Sequence, residues 1–260
     1  MDPASPGARE YILHLSKKMI DLGFDELQFD YIRFPSDGDV ENAIYPVWDG
    51  IQPRHEVLTS FFTFLHDNLK RHKPEIMLSA DIFGYVAAQR EDLTIGQRLD
   101  DIGHFFDYVS FMVYPSHYYG GLQYAADPIN NLPAINYSAT DARMHPNVVV
   151  GRSLVAARDY LDSINNRHGA EVASSSFPNQ GTGEIAISAR DSALNGTATS
   201  AARIRPWLED FFHDEDRAAE RPYGAQKVRM QIDAAEAAED AGWLLWNAAN
   251  VYSEDALKKE

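Results

Sequence analysis

The sequence predicts an α/β fold of the (β/α)8 barrel type, in which strands and helices alternate along the chain. Short segments rich in aromatic and β-branched residues alternate with amphipathic helical segments, polar residues recur at the strand ends, and neither GxGxxG nor GxxxxGK[ST] occurs. The alternation predicts a parallel sheet with right-handed crossovers, and the missing glycine-rich motifs disfavour a doubly wound nucleotide-binding sheet. Polar residues at the carboxyl ends of strands favour the barrel, because barrel enzymes place their chemistry at that rim.

The first helix and the first strand are predicted near the amino terminus. Ser5 is a suitable N-cap and Gly23 can end the helix. The apolar stripe of this helix is formed by Ile12, Leu15, Met19 and Leu22. The segment 24–34, FDELQFDYIRF, then mixes aromatic and β-branched residues with alternating polar ones, and the turn residues 35–38 close it. Together they predict one helix and strand pair.

Four further strands are predicted along the chain. They are IMLSADIFG at 76–84, DYVSFMVY at 107–114, IRPWLEDF at 204–211 and GWLLWN at 242–247. Helical stripes of apolar residues lie at 57–69, 95–102, 154–164 and 228–235. Pro206 weakens the strand at 204–211 unless it opens that strand, because proline cannot donate a ladder hydrogen bond. The chain between Tyr118 and the helix at 154–164 is predicted to be a loop.

The chain is predicted to form a single domain over residues 1–260, with a polar insertion at about 165–202 that is rich in Ser, Ala, Asn and Gly. Its hydrophobic fraction of 45% and charged fraction of 24% are typical of a globular domain that buries a sizeable core. A closed barrel needs eight strand and helix pairs. Only five are recognisable, which predicts a partial barrel that lacks its first three strands.

The charge and composition exclude several classes of function. The chain carries 39 acidic and 23 basic residues, a net charge of −16, which disfavours binding to the phosphate backbone of nucleic acids. The absence of cysteine excludes disulfides, thiolate zinc sites and cysteine nucleophiles. No apolar window reaches the ~18 residues that a membrane span requires. No cofactor is predicted, and the oligomeric state is left open.

Two aspartates at neighbouring strand ends are the first candidates for catalysis. The period of two along a strand places Glu26, Gln28 and Asp30 on one face, which we expect to point into the barrel. Asp81 occupies the corresponding position of the next strand, so both carboxylates can face one substrate. Arg33 or Tyr114 could pair with the Asp30 carboxylate. Two facing carboxylates suggest glycoside hydrolysis, in which one protonates the leaving oxygen and the other acts as nucleophile or base.

A third acidic position lies in the strand RPWLEDF. Asp210 shares the parity of Leu208, and Glu209 shares that of Trp207, so only one of the two acids points inward. We predict that Asp210 does so, as a substrate hydrogen-bonding group or an alternative acid. The residues predicted to contact substrate are Gln28, Arg33, Tyr114, His117, Tyr118, Trp246 and Asn247. Aromatic side chains on the rim can stack on sugar rings, although barrel walls are also built from them.

Two alternatives to a glycosidase remain open at this stage. The many rim aromatics and the missing strands are compatible with a barrel that binds carbohydrate without cleaving it. Asp30, Asp81 and His117 could also serve as metal ligands of a hydrolase or deacetylase. No HExxH motif and no pair of histidines at i and i+4 beside a carboxylate occurs, so no metal site is predicted.

Five motifs link the chain to a known family. FDELQFDYIRFPSDG, SADIFGY, SFMVYPSHYYGG, RPWLEDF and GWLLWNAANVY occur in this order along the sequence. With them the chain resembles the "putative glycoside hydrolase domain" family of bacterial and archaeal proteins. The resemblance covers most of the chain, and its first motif is long and specific.

The resemblance implies a (β/α)8 barrel whose fourth to eighth strands are the five segments above. It places Asp30, Asp81 and Asp210 on motif-matching positions and implies glycosidase activity on a polysaccharide or a cell-envelope glycan. It also implies an extracellular or cell-envelope location. The sequence departs from the family pattern at Glu209, where an amide is expected, and in the length of the polar stretch 165–202.

Overall fold

The computed structural model describes residues 1–89, 92–175, 202–211, 224–238 and 241–257, with only the main chain for 165–175. The strands are β1 (Glu26–Phe29), β2 (Met77–Phe83), β3 (Tyr108–Met112), β4 (Leu122–Tyr124), β5 (Ile135–Tyr137), β6 (Arg203–Ile204), β7 (Trp207–Glu209) and β8 (Leu244–Trp246). The helices are α1 (Pro6–Asp21), α2 (Arg54–His72), α3 (Leu99–Ile102), α4 (Ala139–Met144), α5 (Pro146–Ser175) and α6 (Ala225–Ala238).

The main sheet is parallel and curls into a half-barrel. Within the described residues, its strands follow the order β1-β2-β3-β7-β8, and β6 also pairs with β3. β6 and β7 therefore share one position of the half-barrel and are separated by Arg205 and Pro206. Pro206 directly precedes β7, which is where a strand accepts proline most easily. The prediction of a partial (β/α)8 barrel with five strand positions is confirmed.

The first helix begins where the sequence predicts. Ser5 is its N-cap, and the Ser5 hydroxyl accepts a hydrogen bond from the Ala8 backbone N–H at 3.4 Å. The predicted apolar stripe is wrong in detail, because Leu15 and Leu22 are 44% and 66% exposed. The residues that α1 buries are Leu13, Ser16 and Ile20. Apolar side chains occur on more than one side of this helix, so their spacing does not decide which side packs on α2.

A hairpin replaces part of the loop predicted after Tyr118. β4 and β5 are antiparallel and form a separate small sheet. Gly121 directly precedes β4 and has a φ of +79°. A Cβ at this position would lie 2.2 Å from the Tyr137 carbonyl oxygen. Strands of three residues carry too little periodicity to be recognised from sequence.

The helix predicted at 154–164 extends further at both ends. α5 continues to Ser175, past the start of the polar stretch at 165. The remainder of the predicted insertion, up to 201, lies outside the described residues. The single-domain assignment over 1–260 therefore stays a prediction.

The core lies between the helices and one face of the main sheet. Its buried members include Leu58, Phe62, Leu65 and Leu69 from α2, and Leu78, Ile82, Val109 and Phe111 from the strands. Because successive strand residues point to opposite faces, Ser79 and Asp81 turn to the inner face of the half-barrel. On that inner face Arg205 forms an ion pair with Glu26 and lies 4.4 Å from the centre of the Tyr108 ring.

Candidate active site

A cleft of about 380 Å³ opens at the carboxyl ends of the parallel strands. Each position of the half-barrel places a residue on its wall: Asp30 follows β1, Asp81 lies on β2, Tyr114 follows β3, Trp207 lies on β7 and Trp246 ends β8. This is the edge at which barrel enzymes hold their catalytic groups. The fold thus brings together residues that are far apart in sequence.

Asp81 is the most enclosed carboxylate of the cleft, with 6% of its surface exposed. Its Oδ1 accepts hydrogen bonds from Gln28 Nε2 at 2.5 Å and from Trp207 Nε1 at 2.8 Å. Its Oδ2 accepts no hydrogen bond from any residue that the structure describes. A proton on this carboxyl group would therefore sit on Oδ2, because Oδ1 already faces two donors.

Burial raises the pKa of Asp81 to about 6. Water stabilises the charged form, so its removal favours the protonated acid. The hydrogen bonds from Trp207 and Gln28 and the charge of Arg205 act in the opposite direction, while the charge of Asp30 raises the pKa further. Asp81 can thus hold or release a proton near neutral pH.

Asp30 lies directly after β1, is exposed and faces the same cleft. Its Oδ1 accepts a hydrogen bond from the Tyr31 backbone N–H at 2.6 Å. Tyr31 has a positive φ of 53°, which lies in the left-handed region that few residues other than glycine adopt. The turn places the Tyr31 ring in solvent, 78% exposed, at the mouth of the cleft.

Arg33, one of the two partners expected for the Asp30 carboxylate, is engaged elsewhere. Arg33 donates to the Phe34 carbonyl oxygen at 3.1 Å and to the Ser36 hydroxyl at 3.0 Å, and its guanidinium lies 5.6 Å from the centre of the Phe83 ring. Arg33 still lines the cleft. Arg33 also forms an ion pair with Asp37 at 3.9 Å, and none of its hydrogen bonds goes to Asp30.

Tyr114 lies in the cleft wall, 5% exposed. Its ring meets His117 edge-on at 5.2 Å and Phe211 edge-on at 5.4 Å. Burial raises the pKa of Tyr114, and the negative charges of Asp81 and Asp30 raise it further. The phenol hence stays protonated at neutral pH and can donate a hydrogen bond to a substrate or to a neighbouring carboxylate.

Exposed aromatic rings surround the mouth of the cleft. Tyr119, 67% exposed, stacks on His117 with ring centres 5.8 Å apart. Trp246, 45% exposed, meets Trp207 edge-on at 6.1 Å. Neighbouring rings hold both aromatic faces in place, and each face is available for contact with an apolar sugar surface.

Asp210 does not face the cleft, which corrects the prediction that it would turn inward. It is 2% exposed, and both of its oxygens accept hydrogen bonds from Ser253, from the backbone N–H at 2.7 Å and from the hydroxyl at 2.8 Å. Glu209 shares the inward parity of Trp207 instead, because Leu208 packs into the core on the helix side. The apolar character of Leu208 is the sequence feature that could have indicated this.

Glu209 is fully buried beneath the rim. Its Oε2 accepts hydrogen bonds from the Ser116 backbone N–H at 2.9 Å and from the Ser116 hydroxyl at 2.7 Å. Ser116 belongs to the single-turn helix at 115–117 that carries His117. The acid thereby anchors the turn that positions the rim aromatics.

Two other predicted contact residues have structural roles. Asn247 donates from Nδ2 to the Asp210 carbonyl oxygen, and its Oδ1 accepts from the Ala249 backbone N–H at 2.8 Å. Tyr118 lines the cleft but is only 2% exposed; its hydroxyl lies 3.2 Å from the Ser153 hydroxyl, and it packs in a second core cluster. Trp207, Tyr119 and Glu209 were not among the predicted site residues.

The hypothesis of a metal-dependent hydrolase depends on a cluster of ligands. Among the described side chains, no group of three or more His, Cys, Asp or Glu residues is arranged to hold a metal ion. Asp30, Asp81 and His117 do not form such a group.

None of the described helices is long and apolar enough to cross a membrane.

Comparison with known proteins finds a family match and a solved structure of similar fold. A family model described as "Putative glycosyl hydrolase domain" matches residues 1–252. Among solved structures, the glycoside hydrolase domain of PgaB (BpsB) from Bordetella bronchiseptica is similar, with a TM-score of 0.51 and 13% sequence identity. The match covers 95% of this chain and 59% of that one, and at this identity it shows the fold alone. No curated protein matches the chain.

Proposed function

Because the chain belongs to the family described as "Putative glycosyl hydrolase domain", we propose that it cleaves a glycosidic bond with two carboxyl groups, Asp81 as general acid and Asp30 as nucleophile or base. The observation that carries this proposal is the contrast between the two groups within one cleft. Asp81 is buried and has one oxygen without a hydrogen bond from the described residues, whereas Asp30 is exposed.

The general acid must hold a proton until the glycosidic oxygen leaves. Asp81 meets this requirement because burial raises its pKa to about 6. Gln28 and Trp207 fix its Oδ1, which leaves Oδ2 to carry the proton toward the leaving oxygen. Gln28 was predicted to contact the substrate; in this proposal it orients the Asp81 carboxyl group instead.

Asp30 supports the second role. An exposed carboxylate at the rim can approach the anomeric carbon or activate a water molecule. Its negative charge also favours protonation of Asp81, which is the state that a general acid needs. The buried Tyr114 phenol can donate a hydrogen bond to Asp30 or to the sugar.

The aromatic rim supports a carbohydrate substrate. Trp246 and Tyr119 present exposed ring faces at the mouth of the cleft, and Arg33 and His117 add polar groups to its wall. Sugar rings pair an apolar face with peripheral hydroxyl groups, which matches this combination. The substrate proposed is a polysaccharide or a cell-envelope glycan, encountered outside the cytoplasm.

The proposal is tested with a panel of polysaccharides and release of reducing ends as the readout. The wild type should hydrolyse at least one of them, and Asp81→Asn should lower the rate by about 10²- to 10⁴-fold with an unchanged circular dichroism spectrum. If Asp30 is the nucleophile, Asp30→Ala should regain activity in sodium azide and yield a glycosyl azide. Retained activity in both variants would remove the two aspartates from the mechanism.

A barrel that only binds carbohydrate is the competing outcome. Retention of the wild type on a polysaccharide in affinity electrophoresis, without release of reducing ends and unaffected by Asp81→Asn, would favour it. The aromatic rim would then be the functional part of the cleft.

A further inference from the structure

Gln97 is a buried amide whose role the sequence does not reveal. It is fully buried, its Nε2 donates to the Asp81 carbonyl oxygen at 3.2 Å, and its Oε1 accepts from the Phe83 backbone N–H at 2.9 Å. An amide side chain carries one acceptor and one donor group, so it satisfies both main-chain groups at once. One side chain thus bonds β2 on both sides of Ile82.

The amide replaces a missing strand neighbour. Alternate main-chain groups of β2 face β1, as shown by the hydrogen bond from the Met77 N–H to the Asp25 carbonyl oxygen at 3.2 Å. The pairing of β1 with β2 ends at Phe29 and Ala80. Beyond that point the Asp81 carbonyl oxygen and the Phe83 N–H, which face the side of β1, have no strand to bond to. The Gln97 amide bonds both groups instead.

The segment that carries Gln97 is itself fixed. Gly96 has a φ of +81°, and a Cβ there would lie 2.7 Å from Leu58 Cδ1 and 3.1 Å from the Arg54 carbonyl oxygen. The Gly96 N–H donates to Asp92 Oδ1 at 2.7 Å, and the Ile95 carbonyl oxygen accepts from the Phe34 N–H at 2.7 Å. Gln97 is therefore held rigidly against the end of β2.

We propose that Gln97 is a positioning residue that holds the end of β2 so that the Asp81 carboxylate stays in its enclosed place against Gln28 and Trp207. This inference rests on the proposed role of Asp81 as general acid. Without the amide, the unpaired main-chain groups of β2 would draw in water, and the water would reach the carboxylate.

Charged and titratable groups from several neighbouring elements surround Asp81. The titratable or charged groups that act on it are Asp30 after β1, Tyr114 after β3 and Arg205 between β6 and β7. None of these three groups is hydrogen-bonded to Gln97, whose two hydrogen bonds go to the main chain of β2. A change in the titration of Asp81 on mutation of Gln97 would therefore report on solvent access, not on a lost charge.

The molecule contains a matched control for this test. Gln231 on α6 is also fully buried, and its amide also bonds two main-chain groups of a strand. It accepts from the Glu209 N–H at 3.0 Å and donates to the Glu209 carbonyl oxygen at 2.8 Å. Both of these hydrogen bonds go to β7 and not to β2. Gln231→Ala should loosen the sheet to a similar degree without exposing Asp81.

The experiment is a carboxyl ¹³C NMR titration of Asp81 in the wild type, Gln97→Ala and Gln231→Ala, with the signal assigned by Asp81→Asn. We expect the pKa of Asp81 to fall by about one unit in Gln97→Ala and to stay within about 0.3 units of the wild type in Gln231→Ala. If Gln97→Ala does not fold, Gln97→Asn, whose amide is one methylene too short to reach both groups, should show the same direction of shift.

An unchanged Asp81 titration in the folded Gln97 variant would overturn the proposal, and so would an equal shift in both glutamine variants. The titration needs no substrate, so it tests Gln97 even if the protein hydrolyses nothing. A failure of hydrolysis with a confirmed shift would refute the proposed function and leave the positioning of Asp81 intact.

Discussion

Asp81 and Asp210 are both buried carboxylates at the carboxyl-terminal edge of one sheet, and they differ in how their oxygens are used. Asp210 receives a donor on each oxygen, both from Ser253. Asp81 receives two donors on one oxygen and borders a cleft. Their exposures of 2% and 6% are nearly equal. Burial alone therefore does not distinguish a structural carboxylate from one that can exchange a proton with a ligand.

The comparison separates two ways of stabilising a buried acid. Donors on both oxygens of Asp210 tie the segment after β8 to the sheet and leave neither oxygen for a substrate. Donors on only one oxygen of Asp81 orient the group and leave the other oxygen able to transfer a proton.

The largest expected effect is on turnover. Asp81→Asn should reduce hydrolysis by about 10²- to 10⁴-fold, because an amide cannot protonate the leaving oxygen. Asp210→Asn should change the rate at saturating substrate by less than about threefold, because Asp210 does not line the cleft. Both variants are assayed on the same polysaccharide at a temperature where each is folded. An equal loss in Asp210→Asn would mean that the two carboxylates do not differ as the geometry indicates.

The next effect is on stability. Asp210→Ala removes two charge-assisted hydrogen bonds in a buried setting, each worth about 1.5 to 3 kcal/mol, so we expect a loss of about 3 to 6 kcal/mol. Urea unfolding at pH 7 measures it. Ser253→Ala removes only the hydroxyl bond and should cost about half as much. A loss below about 1 kcal/mol in Asp210→Ala would show that the carboxylate does not hold this segment.

A pH dependence of stability is expected for Asp81. Its pKa is raised from 3.8 to about 6 in the folded protein, so the folded state binds the proton more tightly than the unfolded chain. The stabilisation is complete below about pH 4 and is lost as the pH rises through about 6. Relative to Asp81→Asn, the wild type should therefore lose no more than about 3 kcal/mol between pH 4 and pH 8. A constant difference across that range in urea unfolding would contradict the raised pKa.

The smallest predicted effect concerns one of the two donors. Trp207→Phe removes the indole N–H that stabilises ionised Asp81, so the pKa of Asp81 should rise. A hydrogen bond to a charged group of about 1.5 kcal/mol corresponds to roughly one pKa unit. The alkaline limb of the activity profile should move upward by half to one pH unit. A shift in the opposite direction would mean that Trp207 acts mainly by excluding water.

Much of the half-barrel could be predicted from the sequence, because its strands are short apolar segments bounded by strong turn residues. The five strand positions and the location of Asp30 and Asp81 at strand ends follow from that pattern. Three features could not be predicted in this way: the buried stripe of α1, the β4–β5 hairpin, and which of Glu209 and Asp210 points inward. Each depends on which surface a neighbouring element covers, and periodicity contains no information on that.

The sequence by itself determined the fold class, the family and the presence of carboxylates at the rim, because alternating apolar periods and polar strand ends are local properties of the chain. Only the tertiary structure decided which acids are chemically available. Asp81 accepts hydrogen bonds from three distant segments: Gln28 and Trp207 donate to its carboxylate, and Gln97 donates to its main-chain carbonyl oxygen. The Asp210 carboxylate accepts from Ser253. Hydrogen bonding and desolvation act through space between residues far apart in sequence, so the pKa and the role of a carboxylate are properties of the folded protein.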